Sequence, residues 1–265
     1  MKQMSAELEF RVEADGLSVP SAQPFANKED ERAAGKRKLA AAYRIFAHYG
    51  LAYGAGGHIT YRDPILGDHF WLNPLGVDFS RICVSDLVLV RDDGTVVEGR
   101  RMINSAGYAI HSTVHKMRPD VNAAAHAHSR FGTTYATLGK LLPPISQEAV
   151  SFYKDHGLYD GYGGVAEANE GASIGRALGP HKAVICRNHG LFTVGKTIEE
   201  AVFWFLRMER ACDQTLMARA AGTPVEIDDA TATLAAKQVG SSKLGTFGGW
   251  LLFEKMFEEQ PDLLR

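Results

Sequence analysis

The sequence has few cysteines, little imbalance of charge and no long apolar run. Its three cysteines are scattered, odd in number and without a CxxC pair, which predicts reduced thiols in a cytoplasmic protein. The formal net charge of −2 argues against nucleic acid or an anionic membrane as the main partner. No apolar run approaches the roughly 18 residues of a membrane span, and residues 1–20 show no cleavable signal pattern. We therefore expect a soluble cytoplasmic protein.

What the sequence does contain is enough for one sizeable core. A chain of 265 residues suits one large domain or two small ones. We predict a flexible arm over residues 1–28, one domain over residues 29–222 and a C-terminal helical tail over residues 223–265. Predicted strands outnumber the crossovers that a parallel sheet requires. An α+β domain with a mainly antiparallel sheet therefore fits better than a doubly wound one.

The clearest predicted helix covers residues 197–221. Thr197 and Glu200 form a capping box at its start. Its Phe-Trp-Phe run at residues 203–205 makes the helix apolar on more than one face. An apolar residue outside the core stripe is better buried against another chain, so this run predicts a closed homo-oligomer.

The most informative stretch is residues 122–130, which read N-A-A-A-H-A-H-S-R. His126 and His128 are two residues apart, so in a strand both imidazoles project to the same side and are able to share a divalent metal ion. The alternative is that one packs and the other is solvated at a strand end. His189 follows a second apolar run, at residues 183–186. Three histidines would fill three positions of a tetrahedral site and leave one open, as in catalytic metal centres.

The order of motifs resembles the class II aldolase/adducin family over roughly residues 33–221. The resemblance is carried by R-P-D-V-N-A at residues 118–123, H-A-H at 126–128, N-H-G-L at 188–191 and T-I-E-E-A at 197–201. It implies a three-layer α/β/α arrangement, with a mainly antiparallel sheet between helices. It also implies a tetramer with the active site between subunits.

The resemblance assigns His126, His128 and His189 as the ligands of one divalent metal ion per subunit, Zn²⁺ or Fe²⁺. The catalytic Glu of the family's sugar-phosphate aldolases, in contrast, corresponds to Gly107. His111 lies one helical turn further along and is a candidate base or fourth ligand, or else a packed helix histidine.

Glu148 is a second candidate for the missing acid/base. It lies in Ser-Gln-Glu at residues 146–148, after the H-A-H strand, and would have to reach the metal cavity. Surface exposure is the alternative, because it is the usual state of a glutamate.

The family's phosphate-binding turns have lost hydroxyl groups in this sequence. Leu75 replaces a serine in Asn-Pro-Leu-Gly at residues 73–76, and Ala106 replaces the second of two serines. Because a phosphate needs several convergent N–H and O–H donors, these changes argue against a sugar-phosphate substrate. A substrate carboxylate is the alternative ligand, and the candidate substrate-binding residues are His58, Arg62, Asn73, Ser105 and Arg130. The alternative for the two arginines is solvation at a strand end.

Three classes of function remain open. The first is a metal-dependent lyase that cleaves a C–C bond, by aldol cleavage or decarboxylation, in a small, non-phosphorylated oxo- or hydroxy-acid. The second is a non-haem iron oxygenase for the oxidative decarboxylation of an aromatic acid, similar to family members of aminocoumarin pathways. The usual iron ligands are two histidines and one carboxylate, and no such carboxylate is apparent. The third is a non-catalytic, adducin-like scaffold.

Overall fold

The computed structural model describes residues 25–163 and 170–265. Most of the predicted N-terminal arm therefore lies outside the described residues. The first helix, α1, covers Lys28–His48, and Asn27 caps it by accepting a hydrogen bond from the backbone N–H of Asp30. Acidic side chains in its first turn interact favourably with the positive end of the helix dipole.

Eight strands form one sheet in the described part of the chain, in the order β4-β3-β2-β1-β5-β8-β7-β6. Every neighbouring pair is antiparallel except β6 and β7, which confirms a mainly antiparallel sheet. The strands are β1 His58–Arg62, β2 His69–Leu72, β3 Val88–Arg91, β4 Val96–Glu98, β5 Ala123–Ala127, β6 Gly157–Tyr159, β7 Ala183–Cys186 and β8 Gly190–Gly195.

Helices cover both faces of this sheet, which confirms the α/β/α arrangement. The remaining helices of the described chain are α2 Ser105–Met117, α3 Arg130–Ala136, α4 Gln147–Val150, α5 Glu170–Leu178, α6 Ile198–Ala221, α7 Asp229–Val239 and α8 Ser242–Glu259. Short 3-10 turns cover Phe79–Arg81, Val84–Asp86 and Pro261–Leu264. None of the described helices has the length and apolarity needed to cross a bilayer.

The central strand β5 explains which face carries the candidate site. Ala123, Ala125 and Ala127 join the main core, which contains buried residues of α1, α6 and α8. Ala124 joins the core beneath α2 and α5 instead. Because side chains alternate along a strand, His126 projects to the same side as Ala124, towards α2 and α5. The β-strand period thus places the metal candidates on the α2/α5 face.

The C-terminal tail is packed into the domain. Phe253 and Met256 of α8 are buried in the main core. Phe203 of α6 lies against Gly248 of α8, since a Cβ added at Gly248 would stand 2.3 Å from its ring. Its neighbours in the Phe-Trp-Phe run are fully buried in the same core. Phe203 itself is only partly buried, so most of this run is covered within the chain, and the predicted homo-oligomer needs other support.

Candidate metal centre

Two strand ends bring three histidines together. His126 lies near the end of β5, His128 follows it, and His189 immediately precedes β8, the neighbour of β5. Asn188 takes a left-handed φ of 60° in the tight connection to β8. The candidate ligand atoms of the three imidazoles all lie within 4.8 Å of one another, and we call these residues the cluster histidines.

The hydrogen bonding of the cluster histidines fits a metal ion. Nδ1 of His126 lies 2.7 Å from the carbonyl oxygen of Leu191. A carbonyl only accepts, so Nδ1 carries the hydrogen and Nε2 presents its lone pair. Burial lowers the pKa of His126, and burial with the neighbouring His128 lowers the pKa of His189 to about 4. Low pKa values keep the rings neutral, which is the form that binds a metal ion.

The ligand group found among the described residues consists of three imidazoles without a carboxylate. One cluster histidine is buried, one is half-buried and one is exposed, so the group opens to solvent on one side. Three nitrogen ligands with an open side suit a catalytic divalent metal site.

Gly107 lines the same cavity, and the ring of His58 occupies the space that a side chain at position 107 would fill. It lies in the first turn of α2, where its N–H donates to Oδ1 of the N-cap Asn104 at 3.3 Å. A Cβ at position 107 would stand 2.0 Å from Nε2 of His58 and 2.2 Å from its Cδ2. The imidazole therefore occupies the space that a side chain at position 107 would need.

Thr60 connects the two histidines of α2. Its Oγ1 lies 2.8 Å from Nδ1 of His111 and 2.9 Å from Nε2 of His115. Nδ1 of His115 lies 3.3 Å from the carbonyl oxygen of Val121, which is an acceptor, and 3.5 Å from Nη2 of Arg62, which is a donor. The Thr60 hydroxyl therefore links the tautomers of the two rings without selecting one of them. Nε2 of His111 is buried without a hydrogen-bond partner.

The structure brings His58 and His111 together with the cluster histidines. The ring centroids of His58 and His111 are 5.9 Å apart. The cavity that these residues line has room for about one water molecule. Burial lowers the pKa of His58 to about 4, mainly by desolvation, while the neighbouring Asn73 acts in the opposite direction. The residues that line this cavity are His58, Gly107, Ile110, His111, His126, Ile174, Cys186, His189 and Phe192.

Asn73 and Ser105, two of the predicted substrate-binding residues, lie close to the cavity, the first buried and the second exposed. Asn73 is buried, and its Oδ1 lies 2.9 Å from the hydroxyl of Tyr43, so it anchors the end of β2 beside His58. Ser105 is exposed at the first position of α2, two residues before Gly107.

Three other predicted site residues lie away from the cavity. The guanidinium of Arg62, at the far end of β1, donates to carbonyl oxygens of Gly67 at 2.9 Å and His115 at 2.7 Å. Arg130 is exposed at the start of α3. Glu148 contacts α6 and lines a different cavity. Within the described part of this chain, none of the three lines the cavity of the cluster histidines.

Sequence reasoning missed Thr60 and Phe192. Thr60 was detectable, because it is two residues from His58 in the same strand and so projects to the same face. Phe192 packs against the ring of His111 at 4.8 Å. Its role depends on the pairing of β8 with β5, which a local pattern does not specify.

Comparison with known proteins identifies related chains. The profile of the Class II Aldolase and Adducin N-terminal domain matches residues 37–216. Among curated proteins, Decarboxylase NovR of Streptomyces niveus is 39% identical over 242 residues, which cover 90% of each chain. The 4-hydroxy-3-prenylphenylpyruvate oxygenase/4-hydroxy-3-prenylbenzoate synthase of Streptomyces roseochromogenus subsp. oscitans is 38% identical over 242 residues, covering 90% of this chain and 87% of the relative.

One similar solved structure is named as a sugar-phosphate aldolase. The L-fuculose 1-phosphate aldolase from Glaciozyma antarctica PI12 superposes with a TM-score of 0.87 over 93% of this chain and 98% of its own. The two sequences are 41% identical. Relatives of similar identity therefore carry names from two different chemistries.

Proposed function

Because this chain belongs to the class II aldolase/adducin family, we propose that it is a metal-dependent enzyme that cleaves a C–C bond in a small oxo- or hydroxy-acid. The observation that carries the proposal is the convergence of three imidazole ligand atoms within 4.8 Å. Nδ1–H of His126 donates to the carbonyl oxygen of Leu191, and this hydrogen bond orients the ring. Nε2 is then free to bind a metal ion. A scaffold without catalytic function would not require this arrangement.

One divalent ion per subunit, Zn²⁺ or Fe²⁺, would be held by the cluster histidines. When bound, such an ion supplies a Lewis acid for an oxygen of the substrate. The neutral imidazoles add no negative charge to the site, and we propose that this favours an anionic acid as substrate.

We propose that the substrate lacks a phosphate. Leu75 presents a partly exposed apolar side chain in the turn where the aldolases have a hydroxyl group. Gly107 supplies no carboxylate, and His58 fills its side-chain space. A phosphate would find fewer O–H donors here than the aldolases offer.

A second candidate is oxidative decarboxylation of an aromatic acid by non-haem iron. It is supported by the 39% and 38% identical relatives, named as a decarboxylase and as an oxygenase/synthase. The described cluster has three imidazoles in place of the usual two histidines and one carboxylate. The identity of the bound metal and the use of dioxygen separate this candidate from the first.

We also propose that the protein is a cytoplasmic homo-oligomer, and a tetramer in particular. Tyr53, in the turn before β1, is 82% exposed, and Met102, just before α2, is 75% exposed. Tyr53 precedes β1, which carries His58, and Met102 precedes α2, which carries Gly107, and both of these residues line the cavity. Large exposed apolar side chains are better buried at a subunit contact. We expect light scattering at micromolar concentration to give a multiple of the chain mass. A monomer there would contradict the proposal.

The experiment that tests the function is metal analysis of anaerobically purified protein, followed by assays with three substrates. These are a 4-hydroxyphenylpyruvate, a small 2-hydroxy acid and L-fuculose 1-phosphate. We expect one metal ion per chain, cleavage of an acid and no appreciable cleavage of the sugar phosphate. Dioxygen uptake in step with cleavage would establish the oxygenase candidate. Efficient cleavage of L-fuculose 1-phosphate would refute the proposed substrate class.

A further inference from the structure

The glycine-rich turn before β1 packs against the end of β5. It reads G-A-G-G at residues 54–57, and we call it the glycine turn. Gly57 has a left-handed φ of 99°. A Cβ added to it would stand 3.1 Å from the carbonyl oxygen of His126 and 3.3 Å from Cα of Ala127. The glycine turn therefore lies directly against the backbone that carries two of the cluster histidines.

Gly56 lies against the ring of His128. In the pairing of β1 with β5, His58 is opposite His126. The same antiparallel register, continued past the ends of both strands, sets Gly56 opposite His128, and the side chains of opposite residues project to the same side. A Cβ added to Gly56 would stand 2.8 Å from Nδ1 of His128, 3.3 Å from its Cε1 and 3.4 Å from its Cγ. The imidazole therefore uses space that a side chain at position 56 would need.

The backbone conformation does not by itself require glycine at position 56. Gly54 and Gly57 have left-handed φ values, whereas Gly56 does not. Alanine at position 56 thus brings no left-handed strain. The main effect of a side chain at this position is on the ring of His128.

His126 and His128 are oriented by different means. Nδ1 of His126 donates to the carbonyl oxygen of Leu191, and this hydrogen bond orients the ring. Within the described part of the chain, no such hydrogen bond orients His128, which is exposed. The atoms of its ring nearest to Gly56 are Nδ1 and the two carbons bonded to it, so Nε2 lies on the opposite side of the ring. Packing against the glycine turn therefore takes the place of the orienting hydrogen bond.

We propose that Gly56 is a positioning residue of the metal site, and that its backbone holds the His128 ring with Nε2 directed to the cluster. The inference rests on the proposed function, because it requires the cluster to bind a metal ion. In metal-free protein, a methyl group at position 56 would move an exposed ring into solvent at little cost. A metal ion binds the ring in one position only, so the displacement weakens metal binding instead.

The proposal is tested by Zn²⁺ affinity, measured by competition with a chelator. Zn²⁺ binds imidazole sites more tightly than Fe²⁺, so it is a suitable probe whichever ion is native. We expect Gly56→Ala to weaken Zn²⁺ binding by about 10–100-fold, the effect of losing a group that orients a ligand. Gly67→Ala is the control, because its added Cβ has no heavy atom within 4 Å and its φ is not left-handed. This control should bind Zn²⁺ as tightly as the wild type, and unchanged affinity in Gly56→Ala would overturn the proposal.

Two measurements on metal-free protein distinguish a displaced ring from a general loss of structure. The Tm of Gly56→Ala should stay near the wild-type value. NMR of isotope-labelled histidine side chains should show shifted signals for His128, which His128→Ala assigns. The signals of His156, whose two ring nitrogens are hydrogen-bonded within the protein, should not shift. A large fall in Tm, or unshifted His128 signals, would overturn the proposal.

The wild type separates this inference from the proposed function. A wild-type protein that binds no Zn²⁺ would overturn the proposed metal site, and the positioning role of Gly56 with it. A wild type that binds Zn²⁺ no more tightly than Gly56→Ala would overturn the positioning role alone.

Discussion

The cluster histidines differ from two other buried histidines in how their second ring nitrogen is satisfied. His156 uses both nitrogens within the protein: Nδ1 lies 2.6 Å from the carbonyl oxygen of Phe152, and Nε2 accepts from the N–H of Leu142 at 2.9 Å. His115 is likewise bonded on both sides, to Thr60 and Val121. We call His115 and His156 the framework histidines. In the cluster, His126 has one nitrogen bonded to the backbone and the other free for a ligand.

Burial does not distinguish the two groups. Desolvation lowers the pKa of His115 to about 3 and the pKa of His156 to about 4, and the pKa of His189 is also lowered to about 4. Each ring is therefore held neutral. A lowered pKa alone would therefore have identified the framework histidines as functional residues. The useful criterion is the convergence of ring nitrogens that have no hydrogen-bond partner within the protein.

The strongest test of this difference removes one imidazole from the cluster histidines and one from the framework histidines. We expect His189→Ala to weaken metal binding by more than about 100-fold, because loss of a ligand should exceed the 10–100-fold cost of losing a residue that only orients one. His156→Ala should retain the metal and lower the stability of the metal-free protein instead. Metal content after dialysis and unfolding in urea measure the two effects. Full occupancy in His189→Ala would refute the metal assignment.

Thr60 bonds to both His111 and His115, yet the two should respond differently to substitution. His115 stacks on Phe70 at 4.5 Å and uses both nitrogens, so His115→Ala should destabilise the fold by about 3 kcal/mol. His111→Ala should instead reduce turnover or metal affinity by about 10–100-fold, since its Nε2 faces the cavity. Urea unfolding and metal titration measure the difference. A metal-replete His111→Ala protein with normal turnover would place His111 among the framework histidines.

The framework histidines should also make stability depend on pH. In the unfolded chain a histidine has an ordinary pKa near 6.5, whereas burial lowers the pKa of folded His156 to about 4. Between these values the unfolded state binds more protons, so the stability of metal-free protein should fall as the pH drops from 6.5 towards 4. Each such histidine contributes a slope of about 1.4 kcal/mol per pH unit. His156→Gln should reduce the slope measured by urea unfolding, and His48→Gln, at an exposed position, should not. An unchanged slope in His156→Gln would show that this ring is not kept neutral by the fold.

Local periodicity was sufficient to predict the parts of the site that lie on single strands. The alternation of His126 and His128 predicted a shared side, and the structure places His189 beside them. The antiparallel sheet was predicted from the number of short strands. Strand β6 was not predicted, because three residues next to a glycine-rich loop carry too little pattern.

Contacts between distant elements were not predictable in the same way. The exclusion between His58 and position 107 arises where β1 packs beneath α2, and neither local sequence encodes that distance. Arg62 matched the requirements for a carboxylate-binding residue by type, but the fold directs its guanidinium to backbone carbonyl groups. Residue type alone predicts what a side chain is able to bind, and the packing of distant elements decides which partner it reaches.

The smallest effect is expected at Glu148, which the sequence marked as a candidate acid/base. Its Oε2 accepts from Nε2 of Gln214 at 3.1 Å, and its Oε1 lies 3.5 Å from Nε of the exposed Arg210. These contacts hold the carboxylate against α6, in a cavity that contains none of the cluster histidines. Glu148→Gln keeps an acceptor for Gln214 and loses one solvent-screened ion pair, so it should cost less than about 1 kcal/mol.

Glu148→Gln should therefore leave metal content unchanged and turnover within about twofold, because an acid/base group would have contributed about 10²-fold or more. Metal analysis and the cleavage assay are the measurements, with Arg210→Gln as the matched control for the ion pair. A large loss of turnover with metal retained, in Glu148→Gln but not in Arg210→Gln, would return Glu148 to the catalytic set. Since its carboxylate does not line the cavity of its own chain, it would then have to act on the site of a second copy.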